Sequence, residues 1–174
     1  MDTSLQVRLA SDRDVAYIVS LIDRVQKQLT ASGSLQIIGP LPHALVAEFV
    51  AMEAAFVFES PAGLLGSVFV QPATPESCPN LISWQLTACD LHPWFLQTLA
   101  LEPEQQGRGL GFHFLSGVRA LVAQRDPQAN IILDCWAGNT KLRTFYTRAG
   151  FTLHGEFIEK DHWLAVFVQS AASR

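Results

Sequence analysis

Gln106-Gly107-Arg108-Gly109-Leu110-Gly111 is the tract of this chain best suited to chemistry. It lies between an apolar, strand-like run and a stretch with helical spacing. A helix N-terminus presents unpaired N–H groups and a partial positive charge, and both attract anions. Glycine lets a phosphate approach the backbone closely, and Arg108 adds a formal charge. Two known phosphate loops do not fit. A Walker loop needs Gly-Lys-Ser/Thr after its spacers. A dinucleotide fingerprint needs Gly-x-Gly-x-x-Gly and an acid about 20 residues on. Here Gly107-Arg108-Gly109 is followed by Gly111, so the spacing differs. On this tract alone, a glycine-rich loop with no ligand stands as the alternative.

Cysteine and histidine offer no second centre. Cys78, Cys89 and Cys135 are odd in number and match no metal spacing. They read as reduced thiols of a cytoplasmic protein. His43, His92, His113, His154 and His162 show no paired ligand spacing, so no metal is expected.

The elements that must position the glycine tract follow from periodicity. Leu5 to Leu9 alternates as a first strand. Ser11 stands three residues before Asp14, an approximate capping box. Val15, Ile18, Val19, Ile22, Val25 and Leu29 then keep helical spacing until Gly33. A shorter helix is expected after Pro42, through Val46, Phe49 and Val50 to about Met52. Ala55–Glu59 and Leu65–Gln71 predict a hairpin across Ser60-Pro61-Ala62-Gly63. Pro72 to Pro93 is the least regular region, and a loop of that length is functional or carries structure of its own. Trp94–Leu101 reads as a buried strand, Gly109 to about Gln124 as a helix and Ile131–Trp136 as a second buried strand. That order implies a parallel pair with a right-handed crossover. Thr140–Ala149 is a short helix ended by Gly150, and Phe151–Phe157 with Trp163–Gln169 closes the chain as another hairpin. The class is α/β. Without repeats, low-complexity tracts or linkers, residues 1–174 are expected to form one domain.

The 174 residues are 49% apolar and 16% charged, which suits a buried core and not disorder. No apolar run reaches about 18 residues, so no membrane helix is expected. Met1-Asp2-Thr3-Ser4 lacks the basic-then-apolar order of a secretory leader. The net charge of −4 argues against nucleic acid as a partner. The charges are also segregated. Gln28 to Gly107 holds no Lys or Arg and seven acids: Glu48, Glu53, Glu59, Glu76, Asp90, Glu102 and Glu104. Arg108 to Arg148 holds six bases against Asp126 and Asp134.

Gln-x-x-Gly-x-Gly after a strand resembles motif A of the GNAT superfamily, the acyl-CoA-dependent N-acetyltransferases. Leu99-Ala100-Leu101-Glu102-Pro103-Glu104, leading into it, resembles the same family. So does Leu133-Asp134-Cys135-Trp136-Ala137-Gly138-Asn139, with Leu142, Phe145, Tyr146 and Gly150-Phe151 beyond. Asn139 precedes Tyr146 by seven residues. The order of elements from Leu5 to Gln169 is similar to the whole layout. The resemblance implies a mixed sheet of about seven strands flanked by about four helices, splayed between two parallel strands.

It also implies roles. The main chain of Leu99, Ala100 and Leu101 would hold the pantetheine of acetyl-CoA and polarise the thioester carbonyl. The amides of Gln106, Gly107, Arg108, Gly109, Leu110, Gly111 and Phe112 would take the pyrophosphate. Asn139 would bond the pantetheine, cap its helix, or both. Tyr146 would donate a proton to the departing thiolate; its alternative is a core tyrosine. Cys135 sits beside the expected thioester, but no histidine partner for a covalent role is evident. Base candidates are Gln97 through a water, Asp134, Glu156 and Glu53, with a water chain to solvent an equal choice. Asp134 reads as a paired buried acid before it reads as a base with a raised pKa.

The expected reaction is direct acetyl transfer from acetyl-CoA to a primary amine of a small molecule. The alternatives are a protein amine, an acyl-CoA-binding regulatory module without turnover, or a plain nucleotide-phosphate binder. His43, His92 and His162, with Trp84 and Trp94, are pocket candidates, although surface or core roles suffice for each. Leu35–Val46 and Leu81–Leu101 are poor in charge and could be core, pocket or the surface of a homodimer. The acidic stretch is expected to favour a cationic acceptor, and the basic one the phosphates of CoA.

Overall fold

Arg8, in strand β1 (Gln6–Leu9), clamps the turn that starts the first helix. Its guanidinium donates to the two carboxyl oxygens of Asp14 at 2.8 and 3.2 Å and to Glu59 at 3.0 Å. The Ser11 N–H donates to Asp14 at 2.7 Å, within the predicted capping box. Burial pushes the Asp14 pKa up, but the bonds from Arg8 and Ser11 outweigh it and hold the carboxyl at about 2. Helix α1 (Val15–Ala31) follows and stops at Gly33, whose φ of +78° is the left-handed value that ends helices.

The computed structural model describes residues 4–172. Met1–Thr3, the start of the run that lacks the order of a leader, lie outside them, as does the side chain of Cys89. The remaining elements are α2 (His43–Ala51), β2 (Ala55–Ser60), β3 (Gly63–Pro72), β4 (Pro93–Leu101), α3 (Leu110–Arg125), β5 (Asn130–Trp136), α4 (Thr140–Arg148), β6 (Thr152–Glu159) and β7 (His162–Ser170). The seven strands run β1-β2-β3-β4-β5-β7-β6 in one mixed sheet, the α/β architecture expected. No helix among the described residues is long and apolar enough to cross a membrane.

Two compact units make up the chain. The first holds the residues up to Gly33, Ile37–Val70 and Thr98–Val118. Val15, Ile18 and Ile22 of α1 pack there with Val46 and Val50 of α2, Val57 of β2 and Phe69 of β3. This is the apolar face that the spacing predicted. Gly66 of β3 backs the end of β4: a Cβ there would fall 2.7 Å from the Ala100 carbonyl oxygen and 2.8 Å from Leu101 Cδ2. Gly66→Ala is therefore expected to cost about 1–3 kcal/mol. A urea midpoint lowered at constant slope would check this.

The second unit holds Ser34–Gln36, Gln71–Gln97 and the residues from Arg119 on. β5 pairs in parallel with β4 only over Pro93–Phe95 against Asn130–Ile132. It runs antiparallel to β7 along its whole length, from Asn130↔Ser170 to Trp136↔Leu164. The irregular Pro72–Pro93 region builds a small core of its own. Cys78, Leu81, Trp84 and Leu86 are buried with Phe95, Ile132, Leu164 and Val166. Trp84 packs 6.2 Å from the Phe95 ring, and its carbonyl accepts a 2.7 Å bond from His154 Nε2. Trp94 is also buried, with Nε1 donating to Asp126 at 3.2 Å. Both tryptophans are thus core residues.

Candidate functional site

Leu99, Ala100 and Leu101 end β4 just after a backbone irregularity. Thr98 has a φ of +55°. A β-branched residue there is an outlier costing on the order of 1–3 kcal/mol, and such strain gathers at functional sites. After a turn at Pro103–Gln105, the Gln106 side chain donates to the Leu101 carbonyl and to Gln28 Oε1, each at 3.2 Å. The glycine tract is thereby tied to the end of β4 and to α1. Gly107 and Gly109 both sit at φ +77°, which glycine adopts without penalty. A Cβ at either would meet no atom within 4 Å, so the backbone there is open to an approaching group. α3 starts at once with Leu110, and its first turn carries no acid to cancel the dipole. Arg108 is exposed, with its guanidinium 3.5 Å from Gln105 Oε1. Two of the expected amide donors are already engaged: the Gln106 N–H donates to the Pro103 carbonyl at 3.3 Å and the Phe112 N–H to the Gly109 carbonyl at 3.1 Å.

The second group of expected residues follows β5. A Cβ on Gly138 would come within 2.3 Å of the Trp136 ring, so only glycine fits this turn. Asn139 Oδ1 accepts from the Leu142 N–H at 3.0 Å and caps α4. Tyr146 is buried among Phe145, Phe151 and Phe167, at centroid distances of 5.3, 5.9 and 5.8 Å. Burial, with Cys135 and Asp134 nearby, holds its phenol pKa above the usual value. It stays protonated near neutrality and can act as a donor, not as a base.

Cys135 is a free, buried thiol whose pKa burial pushes up to about 12, Asp134 adding to the rise. Such a thiol is a poor nucleophile. Cys135→Ala is expected to keep turnover within about threefold, and native protein should resist alkylation at this position. Peptide mapping after iodoacetamide treatment, with and without denaturant, reads the second point.

The base candidates separate clearly. Glu156 is bound to Arg143 at 2.6 Å. Glu53 is exposed, at φ +54°, and Gln97 is half-buried in β4. Asp134 overturns the expectation of a paired acid: its carboxylate makes no ion pair or hydrogen bond among the described residues. Desolvation pushes its pKa up to about 7, Glu159 adding to the rise and His162 opposing it. Of the pocket histidines, His92 Nδ1 lies 3.2 Å from Asp126 and His162 Nδ1 lies 3.1 Å from Asp161, while His43 is exposed. The acidic stretch is also less negative than its sequence suggested. Glu59 is paired with Arg8, and Glu102 with Arg24 at 2.6 Å. A shallow depression of about 320 Å³ on α4, lined by Thr140, Arg143, Thr144, Thr147 and Arg148, includes neither Asn139 nor Tyr146.

No protein-family profile matches the sequence, and no curated protein sequence matches it. Solved structures do match. An acetyltransferase of the GNAT family from Listeria monocytogenes 4b F2365 superposes with a TM-score of 0.74 at 21% identity, over 95% of this chain and 94% of that one. One from Streptococcus agalactiae 2603 gives 0.75 at 17% identity, over 95% of each chain. The fold is that of the GNAT acetyltransferases. The Salmonella typhimurium acetyltransferase YncA, solved with its cofactor acetyl-CoA, shares the GNAT fold at a TM-score of 0.68 and 14% identity, over 96% of this chain and 94% of YncA. Within the GNAT fold, three features of the site gave no sequence signal: the φ of Thr98, the Gln106 tie to Leu101 and the isolation of Asp134.

Proposed function

We propose that the chain is an acetyl-CoA-dependent N-acetyltransferase that moves acetyl directly to a primary amine of a small molecule. The observation that supports this most is the Gln106–Gly111 loop. It has two left-handed glycines open to approach, an arginine, and a helix start free of acids. Residues 1–174 act as one acetyltransferase domain, in a cytoplasm that keeps Cys78 and Cys135 reduced.

Bound acetyl-CoA would supply the activated acyl carbon. The amides from Gly107 to Gly111, with Arg108, hold the pyrophosphate. The main chain of Leu99–Leu101 holds the pantetheine and donates to the carbonyl oxygen as negative charge builds there. Asn139 adds a side-chain bond to the pantetheine while capping α4. Tyr146 delivers a proton to the departing sulfur.

The test is release of free CoA thiol from acetyl-CoA with a panel of small amines and peptide N-termini, beside thermal shifts with acetyl-CoA and with ATP. Release with a small amine supports the proposal. Release with peptides alone moves the acceptor to a protein amine. Binding without release would leave a regulatory module, and stronger stabilisation by ATP would leave a nucleotide-phosphate binder.

A further inference from the structure

We infer that Asp134 is the proton acceptor for the attacking amine: the acceptor's ammonium group seats against its carboxylate and loses a proton there before attack. This rests on the acetyltransferase reading and names a catalytic residue that the reading leaves open.

Asp134 lies on β5 opposite Val166 of β7, two residues beyond Ile132, the last β5 residue paired with β4. Its carboxylate has no ion pair or hydrogen bond among the described residues, in a desolvated setting. The residue is half-buried, so its carboxylate is partly desolvated yet within reach of an acceptor. An unpaired carboxylate in such a setting is costly, and proteins retain one where it has a task. The groups coupled to it electrostatically come from several elements: Cys78 of the 72–93 region, Cys135 of β5 (whose side chain alternates to the other face), Tyr146 of α4, Glu159 of β6 and His162 of β7. All but His162 are acids or neutral donors, and His162 is already beside Asp161. Arg143, which acts on Cys135, is engaged by Glu156. Among the described residues no guanidinium or ammonium group pairs with Asp134, and the acceptor's ammonium group supplies that partner. Burial and the like charge of Glu159 raise the proton affinity of Asp134 to about 7, where a carboxyl accepts and releases protons near neutrality.

The protons balance. R–NH3+ gives one to the Asp134 carboxylate, which passes it to solvent. The free amine then forms the C–N bond as the C–S bond breaks. Tyr146 protonates the departing thiolate to CoA thiol, the second proton leaves the nitrogen to solvent, and solvent returns a proton to Tyr146, so that one proton is released per turnover.

The experiment is the pH profile of kcat/KM for the wild type and Asp134→Asn. The acceptor is the fastest amine among linear diamines, arylethylamines, α-amino acids and aminoglycosides. The wild type is expected to rise with pH, break near 7 and level off. Asp134→Asn should fall about 100-fold at pH 8, bind acetyl-CoA within about twofold of wild type, and melt no lower. Its break should give way to a continuous rise towards the amine's own pKa, a change that a structural role would not produce. Glu159→Gln removes the facing like charge and should move the wild-type break to lower pH, which reads the same group should Asp134→Asn fold poorly. If Asp134→Asn keeps the wild-type rate and break, or Glu159→Gln leaves the break in place, the role is overturned while the acetyltransferase reading stands. If the wild type releases no thiol with any amine, the reading fails and takes the role with it.

Discussion

Gly109→Asp is expected to lose about 1,000-fold in acetyl-CoA affinity while keeping its fold. The structure separates the reasons. A Cβ at Gly109 would meet no atom within 4 Å, so the protein itself has room for the side chain. The φ of +77° adds a strain of about 1–2 kcal/mol, which aspartate tolerates better than most residues. The dominant effect is electrostatic. A carboxylate about 4 Å from one phosphate charge, at an effective dielectric of about 20, repels it by about 4 kcal/mol, or roughly three decades in affinity. Gly109→Asn, nearly the same shape without the charge, should lose only about tenfold. Calorimetric titration with acetyl-CoA gives both numbers, and a melt without ligand shows that the fold is kept. An aspartate variant that binds within tenfold of wild type would remove the pyrophosphate from this loop.

Tyr146→Phe is expected to cut kcat by about 100-fold or more with acetyl-CoA affinity unchanged. The variant keeps the ring that packs against Phe145, Phe151 and Phe167 and removes only the oxygen. Tyr146→Ala would instead open a cavity and cost about 3–5 kcal/mol, confusing turnover with stability. The raised phenol pKa adds a further check. The hydroxyl stays protonated from about pH 6 to pH 9, so the loss should be the same factor throughout that range. Single-turnover rates at several pH values measure it. A rate within threefold of wild type would assign Tyr146 to the core alone.

Much of the fold was legible because local spacing and tertiary packing agree. The inner face of α1 reads directly from Val15, Ile18, Ile22 and Val25, all buried. Asp14, Gly33 and Asn139 mark helix ends by their own chemistry. The glycine tract was legible as an anion loop for the same reason: the strand before it, the helix after it and the glycines within it all act over a few residues. What was hidden depends on distance along the chain. Glu59 and Glu102 looked like free acids, but their partners Arg8 and Arg24 lie 51 and 78 residues away. Asp134 looked like half of a buried pair, and whether a partner arrives is decided by other strands. The prolines between Pro72 and Pro79 marked an irregular region, functional or with structure of its own, and only the fold decides between these: Leu81, Trp84 and Leu86 beyond them find a core with β5 and β7. Thr98 is the hardest case. Its residue type argues against a positive φ, and only the surrounding sheet can impose one.

The turn after β5 has one more consequence. The Trp136 indole lies so close to Gly138 that any side chain there would collide with it, and Asn139 is the next residue along. This puts an intrinsic fluorophore within the turn proposed to grip the acyl carrier. Emission from that indole, isolated from the other three tryptophans by difference against Trp136→Phe, makes occupancy of the turn an optical quantity, followed in real time without a label.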